Sequence, residues 1–321
     1  MNYAPILVSV YNRKNHFKNC INSLKNNLYA KDTILYVVSD NASKAEDKEI
    51  VDDIRKCIKS ISGFKKVIGI FNSKNLGSHE SVKRAIQRVI DEHGEIIFLE
   101  DDIIVSKYFL KYMNDGLNKY KNDSRIFSIC AYTPNKVKIP SNYSNEVYMW
   151  AKNSPWGFGT WSNRWNDMDL ELKEYDNFIK NKEMVKKFKS IETMSIYILK
   201  ADREGKIKAM DVRISFNMFI NKQYSIYPIK TLSKNTGFDG TGEHCEKQNS
   251  FSNEEVYEKE IHFPEKIEID KRVFKARRKY YVSFKRDYIV PIIKKVPIIY
   301  KTLKAIKNTC GRITNLSRKY Q

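Results

Sequence analysis

The sequence predicts an α/β fold in which a mostly parallel sheet is flanked by helices and followed by a basic C-terminal helical tail. Short apolar runs rich in β-branched residues alternate with helix-like segments over the first 130 residues, and this order is typical of parallel sheets with right-handed crossovers. Lys and Arg are concentrated after residue 270, which predicts the tail. With 321 residues, of which 41% are apolar, the chain can bury one large core or two modest ones.

Four runs have the length and composition of strands that are covered on both faces. They are residues 5–10 (PILVSV), 33–39 (TILYVVS), 65–71 (KKVIGIF) and 95–100 (EIIFLE). Helical patterns lie between them, each entered through Asn, Ser or a similar residue that can cap a helix. The predicted helices span about residues 14–28, 44–60 and 78–92.

Polar segments follow all four predicted strands. They are residues 11–13 (YNR), 40–43 (DNAS), 72–78 (NSKNLGS) and 100–102 (EDD). Ligands of such folds bind beyond the carboxyl ends of the parallel strands, which meet at one edge of the sheet. We therefore expect these four loops to form one site.

The acidic triplet Glu100, Asp101 and Asp102 ends the fourth strand. Hard cations such as Mg²⁺ or Mn²⁺ prefer oxygen ligands, and Mg²⁺ is commonly held by one or two carboxylates together with substrate phosphates. The triplet therefore predicts a site for Mn²⁺ or Mg²⁺ and a diphosphate. The alternative is that these residues cap a helix that begins near Ser106 or are solvated at a turn.

The order of the motifs resembles that of nucleotide-sugar-dependent glycosyltransferases of the GT-A (Rossmann-like) fold, in family 2 and among the bacterial relatives of N-acetylglucosaminyltransferase I. The resemblance covers about residues 4–245, in the motifs VSVYNR, VSDNAS, NLGSHESV, FLEDDI, SPWGFGTWSNRW, MDVRISFNMF and YPIKTLSKNTGFDGTGEHC. It implies a catalytic domain at residues 1–265. This domain would transfer a hexosyl or N-acetylhexosaminyl group, with inversion, from a nucleotide-diphosphate sugar to a glycan or lipid-linked acceptor in bacterial surface-polysaccharide synthesis.

By this resemblance EDD is the D-x-D metal motif. Asp102 would bind the metal ion directly, and Glu100 and Asp101 would contact the donor sugar and ribose. Arg13 and Asp40 match residues that help to hold the nucleotide base. A guanidinium and a carboxylate suit that role because they supply the donors and acceptors that a base edge demands. Each could instead be an ordinary surface charge.

Three further residues are expected to bind the donor. Tyr11 belongs to the first motif, and Asn75 and Gly77 lie where a strand turns into a helix. Gly permits a tight turn, and the amino terminus of a helix favours negative charge. A purely structural turn is the alternative for Asn75 and Gly77.

Residues 154–165 contain three of the four Trp residues of the chain. Trp156 and Gly157 are expected to line the sugar or acceptor pocket, because an indole offers apolar area and an N–H group. Core packing is the alternative for any single Trp. Gly157 and Gly159 would let the backbone pass close to a ligand.

Inverting transfer needs a general base, and the resemblance gives this role to Asp211, just before a helical pattern. A helix N-cap is the alternative role for Asp211. Family members often have an aromatic residue before this Asp, whereas Met210 stands here. Asp167 and Asp169 therefore remain the second candidates for the base.

His244 lies in the Gly-rich stretch GFDGTGEHC, which by resemblance closes over the donor. We expect His244 to contact the metal ion or the diphosphate, with a structural role as the alternative. Lys234 and Asn235 would help to orient the same loop.

The predicted tail spans residues 266–321. Residues 271–321 hold 16 basic residues and one acidic residue, whereas residues 1–270 hold 42 basic and 37 acidic residues. From Pro297 onward, apolar side chains fall on one helical stripe and lysines lie away from it. The apolar stripe consists of Ile299, Leu303, Ile306 and Cys310. This pattern predicts a helix that lies on an anionic membrane surface, and a helix packed on the catalytic domain is the alternative.

No apolar stretch approaches the roughly 20 residues that a membrane span requires. The five cysteines are scattered and are expected to be free thiols, as in a reducing compartment. We therefore expect a cytoplasmic protein that associates peripherally with the inner face of the cell membrane.

Two other functions remain open at this point. A nucleotidyltransferase acting on sugar phosphates would normally have a Gly- and basic-rich loop after the first strand, and SVYNRKNHF contains no glycine. A non-enzymatic nucleic-acid-binding protein would use the basic tail, but no recognised module accompanies that tail, so we expect no nucleic-acid partner.

Overall fold

The computed structural model of the chain describes residues 3–240 and 254–281. The strands of this part are β1 (Ile6–Val10), β2 (Ile34–Ser39), β3 (Lys66–Phe71), β4 (Glu95–Glu100), β5 (Ile103–Val105), β6 (Ile126–Cys130), β7 (Val147–Trp150), β8 (Phe158–Trp161), β9 (Tyr224–Pro228) and β10 (Ser233–Asn235). The helices are α1 (Lys14–Lys25), α2 (Lys48–Lys59), α3 (Ser78–His93), α4 (Phe109–Tyr120), α5 (Ser162–Trp165), α6 (Tyr175–Lys180), α7 (Lys182–Ile191), α8 (Thr193–Arg203), α9 (Met210–Ile220) and α10 (Lys271–Tyr281).

Eight strands form one sheet in the order β3-β2-β1-β4-β8-β6-β9-β7. The half that contains β3, β2, β1 and β4 is wholly parallel, and β6 pairs in parallel with β9. Strands β8 and β7 run antiparallel to their neighbours. The predicted α/β fold with a mostly parallel sheet is confirmed.

All four predicted strands and all three predicted helices are present, although two details of the prediction were wrong. None of α1, α2 and α3 has a capping hydrogen bond from a side chain, and Gly77 occupies the N-cap position of α3. Strand β3 has no buried residue because it lies at the edge of the sheet, where one side has no neighbouring strand.

Two layers of helices cover the sheet. Helices α1, α2 and α4 pack on one face, where Phe17, Ile54 and Leu110 are fully buried. Helices α3, α9 and α10 pack on the other face. Burying one such side chain stabilises the fold by about 1.5–3 kcal/mol, so the two apolar faces account for the stacking of helix, sheet and helix.

A smaller apolar cluster joins helices α6 to α9. Phe178, Phe188 and Phe216 form its centre, with edge-to-face contacts between the rings. Helix α9 contributes to this cluster and to the core beneath the sheet, since Ile214 and Met218 point to the sheet. Packing against the sheet and against helices α6 to α8 therefore holds α9 in place.

Helix α10 packs on β7, which is the edge strand of the sheet opposite β3. Val273 is buried, and the rings of Phe274 and Tyr281 contact Trp150 at centroid distances of 4.6 and 6.0 Å. The described part of the predicted tail thus includes a helix packed on the catalytic sheet. The stripe from Ile299 to Cys310 lies outside the described residues.

Arg277 of α10 is fully buried, and its guanidinium lies 4.6 to 5.7 Å from the centroids of four aromatic rings. The rings belong to Tyr148, Trp150, Tyr227 and Tyr281. None of its three nitrogens has a hydrogen-bond partner in the described part of the chain. A desolvated cation gains about 2 kcal/mol from an aromatic face, but a buried polar group without a partner costs about 1–3 kcal/mol.

Arg164 shows the usual solution for a buried arginine. It is nearly as well buried, and its N–H groups donate to the backbone carbonyl oxygens of Ile126, Lys121 and Asp123 at 3.0 to 3.1 Å. The two buried arginines differ in this respect, because the aromatic rings around Arg277 attract its charge but accept its N–H groups only weakly.

Within residues 3–240 and 254–281, no helix is long and apolar enough to span a bilayer. Cys20, Cys57 and Cys130 are free thiols, as predicted, and the other two cysteines lie outside this part of the chain.

Candidate functional site

The predicted acidic triplet lies at the carboxyl end of β4, in the centre of the parallel half of the sheet. Asp101 and Asp102 are buried, with 5% and 4% of their surface exposed. Arg13, which follows β1, donates from Nη2 to a carboxylate oxygen of Asp101 and, over 2.8 Å, to Oδ2 of Asp102. Two predicted loops therefore meet through an ion pair.

The structural alternative for the triplet was wrong. Helix α4 begins at Phe109, and the side chain that accepts an amide of its first turn is that of Asn27, from Leu110 at 2.9 Å, and not one of the triplet. Two buried carboxylates are also not solvated at a turn, and one guanidinium offsets only one of their charges. Burying a carboxylate whose charge is not paired is costly, so we infer that the second carboxylate is kept for a function.

Charge accumulates at this end of the sheet. Burial, reinforced by the negative charges of Asp102, Asp101 and Asp211, raises the pKa of Glu100 to about 8. Burial also raises the pKa of Asp101 to about 6, against the lowering effect of Arg13. The influence of Asp211 on Glu100 means that α9 brings a fourth acidic group to the site.

The segment after β10 covers Asp102. Strand β10 pairs antiparallel with β5, and the Thr236 amide donates to the Asp102 carbonyl oxygen at 2.9 Å. Asn235 Nδ2 lies 3.4 Å from Asp102 Oδ1 and its Oδ1 accepts from the Gly237 amide at 2.7 Å. Asn235 thus orients this loop, as predicted, whereas Lys234 has no described contact with it.

The backbone of Gly237 lies so close to Asp102 that no residue with a side chain would fit at this position. An added Cβ would lie 2.1 Å from Asp102 Oδ2 and 2.8 Å from Arg13 Nη1. His16 of α1 fastens the same loop, because its ring nitrogens lie 3.2 Å from Thr236 Oγ1 and 2.9 Å from Asp239 Oδ2.

The loops after β1, β2 and β3 are joined by hydrogen bonds. The Tyr11 hydroxyl lies 2.8 Å from Ser43 Oγ and from Asp47 Oδ2. Asn41 Nδ2 donates to the Ser73 carbonyl oxygen at 2.6 Å, and Asn75 Nδ2 donates to the Asn41 carbonyl oxygen at 2.6 Å. Together with the Arg13 ion pair, these contacts bring all four predicted loops to one edge of the sheet.

Asp40 anchors the turn between β3 and α3. Its carboxylate accepts from the Leu76 amide at 3.0 Å and from Asn72 Nδ2 at 3.0 Å. Gly77, with φ of +77°, continues this turn into α3, a backbone conformation that favours glycine. These contacts give Asp40, Asn75 and Gly77 structural roles, and their contact with a donor stays a prediction.

Trp156 stands between two loops of the site. Its ring contacts Tyr132 at 4.3 Å and Phe238 at 5.6 Å between centroids, so it links the loop before β8 to the loop over Asp102. Trp161 and Trp165 instead lie in the core, as the packing alternative allows.

Packing explains the two glycines near Trp156. Gly157 has φ of +96°, and an added Cβ would lie 3.3 Å from the Phe109 ring. At Gly159 it would lie 3.1 Å from Leu117 and 3.2 Å from the Ile96 carbonyl oxygen. Their proposed closeness to a ligand stays a prediction.

Asp211 is the second residue of α9, and Ala209 is the N-cap. The N-cap alternative for Asp211 was therefore wrong. Lys152 forms a largely buried ion pair with Glu192. Burial lowers the pKa of Lys152, but the negative charges of Glu192 and Asp211 raise it overall. The Glu192 carboxylate also accepts from Ser195 Oγ at 2.7 Å. The charges of Lys152 and Asp211 therefore influence each other, although the two side chains form no ion pair in the described part of the chain.

The second candidates for the base are less well placed. Both Asp169 carboxylate oxygens accept backbone amides, from Glu171 at 3.2 Å and from Lys173, so Asp169 closes a turn. Asp167 is exposed. His244 lies outside the described residues.

The carboxylate oxygens of Asp101 and Asp102 are ligands that suit Mg²⁺ or Mn²⁺. Burial is the main cause of the raised pKa values of Glu100 and Asp101, and the neighbouring acidic groups add to it. The described residues include no cluster of three or more His, Cys, Asp or Glu that could hold a metal ion. The two buried carboxylates of Asp101 and Asp102 could supply part of the coordination shell of a cation that takes its other ligands from a diphosphate and water, as Mg²⁺ commonly does.

Residues 6–177, more than half of the chain, match the family described as glycosyl transferase family 2. The chain belongs to this family. Its mostly parallel sheet flanked by helices agrees with the GT-A fold, and membership of this family favours sugar transfer over the nucleotidyltransferase and nucleic-acid-binding alternatives. No curated protein matches the sequence.

Solved structures that resemble this glycosyltransferase do so weakly. S. aureus TarS is 14% identical with a TM-score of 0.42, and the match covers 74% of this chain and 37% of TarS. TarS 1-349 in complex with UDP-GlcNAc is 15% identical, with a TM-score of 0.41 and coverage of 72% and 57%. The mannosyltransferase PcManGT from Pyrobaculum calidifontis, in complex with GDP-Man and Mn²⁺, is 11% identical, with a TM-score of 0.35 and coverage of 50% and 45%. The chain spans less than two thirds of each of these proteins.

Several residues of the glycosyltransferase site had no distinct sequence signal. His16 and Lys152 are single polar residues whose partners, Asp239 and Glu192, are far away in the sequence. Gly237 lay within the Gly-rich motif, but its closeness to Asp102 depends on the pairing of β10 with β5.

Replacing Gly237 with alanine tests whether the covering loop positions Asp102. The backbone of Gly237 is not in the left-handed region, so the main effect of Gly237→Ala is the overlap of Cβ with Asp102. We expect the rate of nucleotide diphosphate release from the donor to fall by about 100-fold, because misplacing a catalytic group by about 1 Å can cost that much.

Gly116→Ala is the matched control, since its Cβ would lie 2.9 Å from the Phe263 ring in the core, away from the site. It should lower the melting temperature while leaving the rate per folded molecule near that of wild type. Unchanged turnover in Gly237→Ala would contradict the role of the loop.

Proposed function

We propose that this glycosyltransferase uses Mn²⁺ or Mg²⁺ to transfer a sugar, with inversion, from a nucleotide diphosphate to a glycan or lipid-linked acceptor of a bacterial surface polysaccharide. The observation that carries the proposal is the meeting of two buried carboxylates, Asp101 and Asp102, with Arg13 and the charge of Asp211 at one edge of the sheet. Measuring nucleotide diphosphate release from a panel of nucleotide sugars identifies the donor.

In the proposed mechanism, Asp102 would hold the divalent cation, and Glu100 and Asp101 would orient the donor sugar and ribose. When bound, such a cation supplies electrostatic stabilisation to the diphosphate leaving group. Arg13 and Asp40 would hold the base, next to Tyr11, Asn75 and Gly77. Trp156 and Gly157 would line the sugar pocket, and His244 would reach the metal ion or diphosphate from beyond the described residues.

Asp211 would take the proton of the attacking hydroxyl. The acceptor oxygen then bonds to the anomeric carbon as the bond from that carbon to the diphosphate oxygen breaks on the opposite face, so the configuration inverts. No hydrogen bond or ion pair engages the Asp211 carboxylate in the described part of the chain, which supports its availability as a base. Lys152 would offset the negative charge of Asp211.

Asp102→Asn tests the metal site. The amide keeps the size of the side chain but loses the charge, so metal-dependent donor binding should be lost while the fold is retained. We expect kcat/KM to fall by at least about 100-fold, since a metal ion supplies several kcal/mol to the transition state. Calorimetric titration of the donor with and without Mn²⁺ measures the binding.

Asp202→Asn is the control for donor binding, because Asp202 is also a buried carboxylate paired with an arginine, Arg213. Its donor affinity should match wild type. Full activity of Asp102→Asn, or of wild type in excess chelator, would refute the metal-dependent mechanism.

Asp211→Asn tests the base. We expect kcat to fall by roughly 100- to 10,000-fold with little change in donor affinity, because a general base contributes this much to the chemical step alone. Asp169→Asn is the matched control and should lower the melting temperature more than the turnover, since Asp169 closes a turn. Near-normal turnover of Asp211→Asn would contradict its role as the general base and would favour Asp167 or Asp169 instead.

We further propose that the basic tail holds the enzyme at the anionic inner face of the cell membrane, close to a lipid-linked acceptor. The support is the charge of residues 271–321, which hold 16 basic residues and one acidic residue; ten of these basic residues and the acidic one follow Tyr281. Each basic residue near an anionic surface contributes about 1 kcal/mol, and salt screens this attraction.

Vesicle sedimentation tests the membrane proposal. The full chain should sediment with anionic vesicles, less at high ionic strength and hardly at all with neutral vesicles. A chain that ends at Tyr281 keeps α10 on the sheet and should stay in the supernatant with donor hydrolysis intact. Equal sedimentation of the two chains on anionic vesicles would refute the anchor.

A further inference from the structure

The packing of α10 leaves a set of buried donors without acceptors, on the face of the sheet that carries α3 and α9. Arg277 Nε, Nη1 and Nη2, Trp150 Nε1 and Asn153 Nδ2 have no hydrogen-bond partner in the described part of the chain. Buried polar groups without partners are rare, and a group of them often marks an unseen ion or ligand.

We propose that Arg277 and Trp150 bind an oxyanion, a phosphate or a carboxylate group, between α10 and the edge formed by β7 and β9. The planar guanidinium has five N–H donors in a fork that matches two oxygens of such a group, and the indole N–H is a donor only. Four aromatic rings surround the guanidinium at 4.6 to 5.7 Å from their centroids and would form the wall of such a site.

The charge of Arg277 decides the class of ligand. A neutral ligand or a water molecule could accept hydrogen bonds, but it would leave a buried cation uncompensated. No Asp or Glu of residues 3–240 and 254–281 forms an ion pair with Arg277. An anion satisfies both the charge and the donors.

The oxyanion has two possible sources, a free inorganic anion or an anionic group of the acceptor. The second source rests on the proposed function. The ring of Tyr281 lies 5.1 Å from the Arg277 guanidinium and 5.8 Å from Lys152 Nζ, and Lys152 lies within the electrostatic reach of Asp211. A phosphate or carboxylate held by Arg277 would thus bring neighbouring sugar hydroxyls toward the candidate base.

Thermal unfolding with inorganic phosphate tests the site, with the full chain in chelator at constant ionic strength. When phosphate is about tenfold above its Kd, we expect the melting temperature of wild type to rise by about 3 °C. Arg277→Met should lose this rise. Arg278→Met removes the same charge from an exposed position of α10 and should keep it.

Equal phosphate responses of wild type and Arg277→Met would overturn the proposal. Trp150→Phe keeps an aromatic ring, loses the N–H group, and provides a test that does not need Arg277→Met to fold. Equilibrium dialysis with labelled phosphate should show one site in wild type and an affinity lowered by about tenfold in Trp150→Phe, because a hydrogen bond to a charged group is lost. No bound phosphate in wild type would also overturn it.

Kinetics with paired acceptors distinguish the two sources. If the acceptor supplies the oxyanion, KM for an acceptor with a phosphate or carboxylate group should rise at least tenfold in Arg277→Met, and KM for the uncharged counterpart should not. If a free anion fills the site, neither KM changes and only the phosphate-dependent stability is lost. Phosphate binding without any donor hydrolysis in wild type would refute the proposed function and leave the oxyanion site standing.

Discussion

The burial of two carboxylates at the end of a central strand is the constraint on which the site depends. Asp101 and Asp102 lie where β4 ends, between elements that shield them from water, and Arg13 compensates part of their charge. Their burial is costly unless other positive charge arrives, as the raised pKa values of Glu100 and Asp101 show. This burial is the basis on which we propose a site for a cation and a diphosphate at the end of β4.

The rest of the fold supports this arrangement from two sides. The parallel half of the sheet brings four loops to one edge, and hydrogen bonds between the loops fix their spacing. The small antiparallel pair of β5 and β10 lays Gly237 against Asp102, while His16 holds the far side of that loop. Helix α9, packed in two apolar clusters, supplies Asp211. The proposed donor side and the proposed acceptor side therefore rest on different packing units that share one sheet.

Helix α10 connects the candidate acceptor side with the basic end of the chain. Its apolar residues pack on β7, and Tyr281 lies beside both Arg277 and Lys152. The basic residues of this helix therefore differ in their burial and in what they contact. Arg278 is exposed and contributes to a charged surface, whereas Arg277 is buried among rings and contributes to a specific contact. A count of charge over the tail cannot separate these two roles, since both follow the same sequence pattern.

The sequence by itself determined the parallel half of the sheet, because strands of apolar and β-branched residues and the helices between them are encoded locally. It also determined that polar loops gather at the carboxyl edge, since this follows from strand direction. Only the tertiary structure decided which polar residues are buried and which residues they contact. The contacts of Gly237 with Asp102, of Lys152 with Glu192 and of Arg277 with Trp150 join residues that are far apart in the sequence. Desolvation and pairing depend on such distant neighbours, so no local pattern of residue types could specify them.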